Sequence, residues 1–136
     1  MVVWEDGMRV TIADETGLGR ETARLLLDDV PSPVLLRELI RHRVREEVAR
    51  FNASPSPHFN GLVQPTDSEA TLNGYALRQP RRLDPEAQAE AALTAFTRNG
   101  FFVFVADRQV DDLDEVLTLA DTDVVSFVRL VPLVGG

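Results

Sequence analysis

The sequence closes on Gly135-Gly136, a few residues past a run of strand-forming residues, Val124-Val125-Ser126-Phe127-Val128-Arg129-Leu130-Val131. A terminal glycine carries its carboxylate on the thinnest possible backbone, and glycine tolerates the backbone angles that close approach demands. Such an end can thread a narrow channel and offer its carboxylate to chemistry performed by another protein. Pro132 stops hydrogen bonding to neighbouring strands and keeps the chain beyond it extended. Residues 132–136 then form a tail about 17 Å long. Leu133 and Val134 can occupy side pockets while Gly135 and Gly136 pass a constriction.

Other residues with chemical potential are weaker. His42 falls among the arginines of a helical segment, and His58 falls in a Pro-Ser loop beside Phe59. Two isolated histidines without cysteine make a poor metal site. No serine stands in a nucleophile-elbow context. Thr16-Gly17-Leu18-Gly19 lacks the Lys-Ser/Thr continuation of a phosphate cradle and reads as a turn. Asp107, Asp111, Asp112, Asp114 and Glu115 read as polar turns that can also face a basic partner, and Arg78, Arg81 and Arg82 as a solvated loop. No residue is assigned a catalytic or metal-binding role, and the chain is not expected to be an enzyme.

Composition narrows the partners. A formal net charge of −8 disfavours nucleic acid and anionic membranes, both of which require a basic face. The absence of cysteine excludes disulfides, thiolate catalysis and Cys-ligated zinc. No apolar run is long enough to span a bilayer and no signal peptide is visible, so a cytoplasmic protein is expected. At 136 residues and 44% apolar content, a single domain over 1–136 can bury a core.

The elements that would position the tail follow from periodicity. Met8, Val10 and Ile12 alternate with Arg9 and Thr11 as a half-buried strand, and Ala23 to Asp28 reads as its hairpin partner. Pro31-Ser32-Pro33 predicts a helix start, with Ser32 as cap and Pro33 at the first helical position. Leu36, Ile40, Val44, Val48 and Phe51 form its apolar stripe, backed by Leu35 and Leu39. Arg37, Glu38, Arg41, Arg45, Glu46 and Arg50 form a solvated face. Residues 53–100 read as an insertion: a loop to Pro65, a short helix opened by Thr66-Asp67-Ser68-Glu69 and ended at Asn73-Gly74, an irregular stretch, and a helix over 84–98 stopped by Asn99-Gly100. Phe101 to Ala106 is apolar on both faces, as in a covered strand. Asp107-Arg108-Gln109 predicts a turn, Val116 to Leu119 a short strand, and Val124 to Val131 the last strand. The first and last strands can pair in parallel through the helical crossover. The expected class is α+β, a mixed sheet of about five strands with one main helix and an inserted helical segment.

Two stretches carry a resemblance. Phe102 to Leu113 with Leu117 to Asp121 resembles the central strand, turn and short strand of ubiquitin. Asp123 to Gly136 resembles the ending of bacterial sulfur carriers, in which an aspartate, a strand, a proline and a small residue lead into diglycine. The pattern covers about residues 8–52 and 101–136 and is similar to the β-grasp, ubiquitin-like family, including uncharacterised bacterial ubiquitin-like proteins. The resemblance implies a carrier or modifier whose Gly136 carboxylate is activated by an adenylating enzyme using ATP and magnesium, with no cofactor held by the chain itself. A sulfur donor or an acceptor protein then takes the acyl group. Gly135 and Gly136 are the conjugation residues, and Pro132, Leu133 and Val134 dock in the partner. The alternative is a β-grasp interaction adaptor with no chemistry at its end. Apolar residues on both faces of the sheet imply that either the inserted helix 84–98 or a partner covers the second face.

Overall fold

The computed structural model describes residues 7–17, 19–71 and 74–130. The chain forms two compact units, one from Met1–Leu39 with Phe96–Gly136 and the other from Ile40–Ala95.

The first unit is built on a five-stranded mixed sheet. Strands β1 (Met8–Thr16) and β2 (Glu21–Val30) form an antiparallel hairpin. The short β3 (Val34–Leu35) leads into helix α1 (Leu36–Ala53), whose residues from Ile40 onward belong to the second unit. The second unit continues with β4 (His58–Phe59), β5 (Ser68–Thr71), β6 (Gly74–Leu77) and α2 (Pro85–Thr97), whose last two residues, Phe96 and Thr97, belong to the first unit. The chain then returns to the first unit with β7 (Phe102–Val105), β8 (Arg108–Val110), β9 (Val116–Leu117) and β10 (Val124–Arg129). The sheet order is β2-β1-β10-β7-β8, and the β1–β10 pair is parallel, with Thr11 opposite Val124 and Thr16 opposite Arg129.

One face of this sheet is the core of the unit. Val10, Ile12, Leu27, Val103, Val105, Val110, Val125 and Phe127 alternate inward and are buried. Phe101 stacks on Phe127 with ring centroids 5.8 Å apart, and Phe96 reaches Phe101 at the same separation. The other face is not covered to the same extent, contrary to the doubly covered strands expected from composition. Phe102, Phe104, Val124 and Val128 are half-buried there, and Leu26 is 48% exposed.

Three local expectations are corrected. The helix begins at Leu36, not after Pro33. Val34 and Leu35 pair instead with Leu117 and Val116. The Ser32 hydroxyl accepts the Leu119 N–H at 3.2 Å and so bridges to another segment rather than capping a helix. The first two amides of α1 are satisfied from outside the helix, Leu36 N–H by the Glu115 carbonyl at 3.0 Å and Arg37 N–H by the Leu113 carbonyl at 2.9 Å. Second, the short helix expected from Thr66 is the β5–β6 pair. Asp67 takes a left-handed φ of 54°, and the Ser68 hydroxyl donates back to the Pro65 carbonyl at 2.6 Å, so the capping geometry is never made. Third, the turn after β7 is Ala106-Asp107, with φ of 48° and 66°, and Arg108-Gln109 are already strand. Two left-handed residues between Val105 and its partner Arg108 are the geometry of a tight two-residue hairpin.

Within the second unit, α1 and the three-stranded sheet β4-β6-β5 surround buried Val44, Val48, Phe59, Leu62 and Leu77. Helix α2 starts as its sequence predicts: the Asp84 carboxylate accepts the Glu86 and Ala87 N–H groups at 3.0 and 3.3 Å. Ala89, Ala92 and Leu93 of its stripe are buried, and Phe96 is half-buried. The segment leading into β4 departs from the expected loop, since α1 runs through Ala53 and His58–Phe59 pair with Ala76 and Tyr75.

Candidate functional site

The sequence points to the segment beyond β10, so the described part of the site is the place where the chain leaves the sheet. β10 is hydrogen-bonded on both sides, to β1 in parallel and to β7 in antiparallel register. A central strand bonded along both edges is a rigid mount. Leu130, the next residue, is 61% exposed. The expected conjugation residues Gly135 and Gly136, and the expected docking residues Pro132, Leu133 and Val134, lie outside the described residues.

Because β1 and β10 are parallel, the end of β1 arrives beside that exit. Thr16 accepts the Gly19 N–H and donates its own N–H to the Arg20 carbonyl, both at 2.9 Å, which closes the turn. Gly17 lies against Leu130: a Cβ on it would stand 2.8 Å from the Leu130 Cδ2. A glycine here lets the turn approach the strand exit closely. Beside it runs a groove of about 360 Å³ on the open sheet face, with Phe104, Ser126 and Val128 along it and Glu15, Thr16, Gly17, Gly19 and Asp107 at its margins. The groove presents hydroxyl, carboxylate and apolar surface.

The remaining candidates sit elsewhere. His42 is half-buried on α1 and His58 is exposed on β4. The Ser56 hydroxyl is bound to the main chain of His58, donating to its carbonyl at 2.8 Å and accepting its N–H at 3.3 Å. Among the described residues no group of three or more His, Asp or Glu could hold a metal ion. The acidic group is divided between local roles. The Asp112 carboxylate accepts the Asp114 N–H at 2.8 Å, Arg37 donates to Asp114 at 2.8 Å, and Arg108 donates to Glu115 at 2.5 Å. The Arg108 hydrogen bond holds the Glu115 carboxyl below its ordinary range, and the Arg45 bond does the same for Glu86. Arg81 donates to the Thr66 carbonyl, and Arg78 and Arg82 are exposed.

Sequence reasoning did not single out the pair Arg43–Glu47. The Arg43 side chain is 2% exposed and donates to Glu47 at 2.5 Å, one helical turn on. The second Glu47 oxygen accepts the Leu62 N–H at 3.0 Å. Gly61 closes the arrangement, since a Cβ there would fall 2.8 Å from that oxygen and 2.2 Å from the Phe59 ring. Phe59 in turn meets Phe51 edge to face at 5.2 Å. This cluster ties the loop 59–62 to α1 and is structural. The signal was present in the spacing: Arg43 and Glu47 fall inside the apolar arc of Leu39, Ile40, Val44 and Val48.

Among the described residues no helix is long and apolar enough to cross a membrane. Compared with models of known protein families and with curated proteins, the chain matches none.

Proposed function

We propose that this chain is a β-grasp carrier or modifier whose Gly136 carboxylate is activated by an ATP-dependent adenylating partner. The observation that supports the reading most is the position of β10. It is the central strand, parallel to β1 and flanked by β7, and the diglycine sequence comes after it at a distance an extended segment can use for reach. A hairpin, a helix-bearing crossover and a second hairpin around that central parallel pair are the arrangement that a β-grasp requires. Fold alone does not carry function, so the reading rests on the end of the chain.

The chemistry divides between the two proteins. The Gly136 carboxylate oxygen attacks the α-phosphorus of ATP, a phosphoanhydride bond breaks, and pyrophosphate leaves. A thiol, amine or sulfur nucleophile then attacks the carbonyl of the acyl-adenylate and AMP leaves. The carrier supplies a thin handle, while the partner supplies magnesium, orientation and charge stabilisation.

The test has two arms. Intact mass of the mature protein from its own host should show Gly136 as the last residue; a chain that continues past it overturns the reading. Incubation of the full chain with ATP, magnesium and an adenylating enzyme encoded beside its gene should then give an adenylate, thiocarboxylate or conjugate at Gly136. Deleting Gly135-Gly136 should abolish the product and leave the fold intact, because losing two terminal glycines removes no side chain from the protein. A chain that stays unmodified with its neighbouring enzyme yet still binds its partner after the deletion is an adaptor.

A further inference from the structure

A second groove, of about 370 Å³, lies within the first unit, lined by Arg37, by Phe96 and Thr97, and by residues of the β7–β8 hairpin and the turn after it. Its floor is apolar. Phe101 and Val110 are fully buried beneath it, and Phe96, Phe102 and Leu113 are half-buried along it. Its rim is acidic, with Asp111, Asp112 and Asp114 all exposed. The lining holds one cation, Arg37, and Arg37 is bound to Asp114. Of the cations outside the lining, Arg108 feels Asp111 but is hydrogen-bonded to Glu115, and exposed Arg98 lies between the lining residues Thr97 and Asn99 in sequence. Asp111 and Asp112 therefore make no ion pair among the described residues, and the rim keeps a local negative excess on a chain that is itself net −8.

We propose that this groove docks an arginine-bearing segment of a partner protein. The match is chemical. An arginine side chain has an apolar stem and a flat cationic head, and the groove offers phenyl rings below and carboxylates at the margin. A guanidinium can rest on a ring face and reach a carboxylate at once, which an ammonium does less well. An apolar partner would strip water from Asp111 and Asp112 without replacing it, and an acidic partner would be repelled. A bare metal ion does not fit, because the described acidic residues supply no cluster able to hold one. The groove is separate from the β10 exit, so this proposal stands whether or not Gly136 is ever acylated.

The test is a titration of the ¹⁵N-labelled full chain with the peptide acetyl-Ala-Arg-Leu-Arg-Ala-amide, with acetyl-Ala-Glu-Leu-Glu-Ala-amide as the control. The arginine peptide should shift the amide signals of Thr97, Phe102 and residues 110–113, and the glutamate peptide should not. The D111N/D112N variant keeps an oxygen to accept the Asp114 N–H, so its spectrum should stay native. Its affinity for the arginine peptide should fall about three- to tenfold, the range for removing two exposed charge contacts. Raising salt from about 0.05 to 0.5 M should weaken binding to the parent chain and have little effect on the variant. Equal response to both peptides, perturbations confined to other residues, no response, or undiminished affinity in D111N/D112N each overturns the proposal.

Discussion

Arg43→Ala should destabilise the protein by about 3–5 kcal/mol, the cost of stranding one member of a buried ion pair. Arg43 is 2% exposed and Glu47 12%, so water can do little for the carboxylate left behind. That carboxylate also holds the Leu62 N–H, so the damage should reach the loop 59–62. Urea denaturation of the variant measures the first effect, and faster hydrogen exchange at Leu62 measures the second. The double variant R43A/E47Q separates charge from packing. The amide of E47Q can still accept the Leu62 N–H and leaves no orphaned charge, so it should recover about 1–2 kcal/mol of the loss. A double variant no more stable than R43A would show that the pair's charge is immaterial and that Arg43 acts through its bulk.

Phe127→Ala should cost a similar amount, about 3–5 kcal/mol, by a different route. Phe127 is 0% exposed on the central strand and lies 5.8 Å from Phe101. Truncation opens a cavity where β10, β7 and β1 meet, because Phe127 stands opposite Val103 on one side and Asp14 on the other. Phe127→Leu should cost less than half as much, since volume is nearly kept. Ser126→Ala, one residue away on the half-buried face, should change stability by less than about 0.5 kcal/mol. Equal losses at 126 and 127 by urea denaturation would contradict the placement of the core on a single face. Against a total stability of about 5–15 kcal/mol, either large loss removes much of the margin.

These two residues mark what the sequence made legible and what it did not: Arg43 went unnoticed within its apolar arc. Phe127 sits in an unmistakable strand pattern, and the parallel pairing of first and last strands was readable from element order and the helical crossover between them. The bounds of α2 were readable because Asp84-Pro85 and Asn99 act locally: the cap needs only its own helix, and Asn99 takes the left-handed φ of 60° that ends it. Two of the misreadings share one cause. Ser32 and Thr66 stand where a helix cap would, but Ser32 is bound to Leu119, and beside Thr66 the left-handed Asp67 and the Ser68–Pro65 hydrogen bond make a turn. A side chain that can cap a helix serves equally well in a turn, and distant partners decide between them. The groove beside β7–β8 was foreshadowed only by its aspartates. Its aromatic floor needs Phe96 and Phe102 brought together by the fold, which no local spacing announces.

The neighbours at the middle of the sheet are distant in the chain. Thr11 meets Val124 across about a hundred residues, a loop closure that is entropically slow. Residues of the second unit are contiguous, from Ile40 to Ala95, and their strand partners are close in sequence. During synthesis, then, the interior segment can acquire protected amides while β1, paired on one edge with β2, still waits for β10 to emerge from the ribosome. Pulsed hydrogen exchange during refolding should record α1 and β6 amides before the amides bonded between β1 and β10, and simultaneous protection would refute that sequence of events.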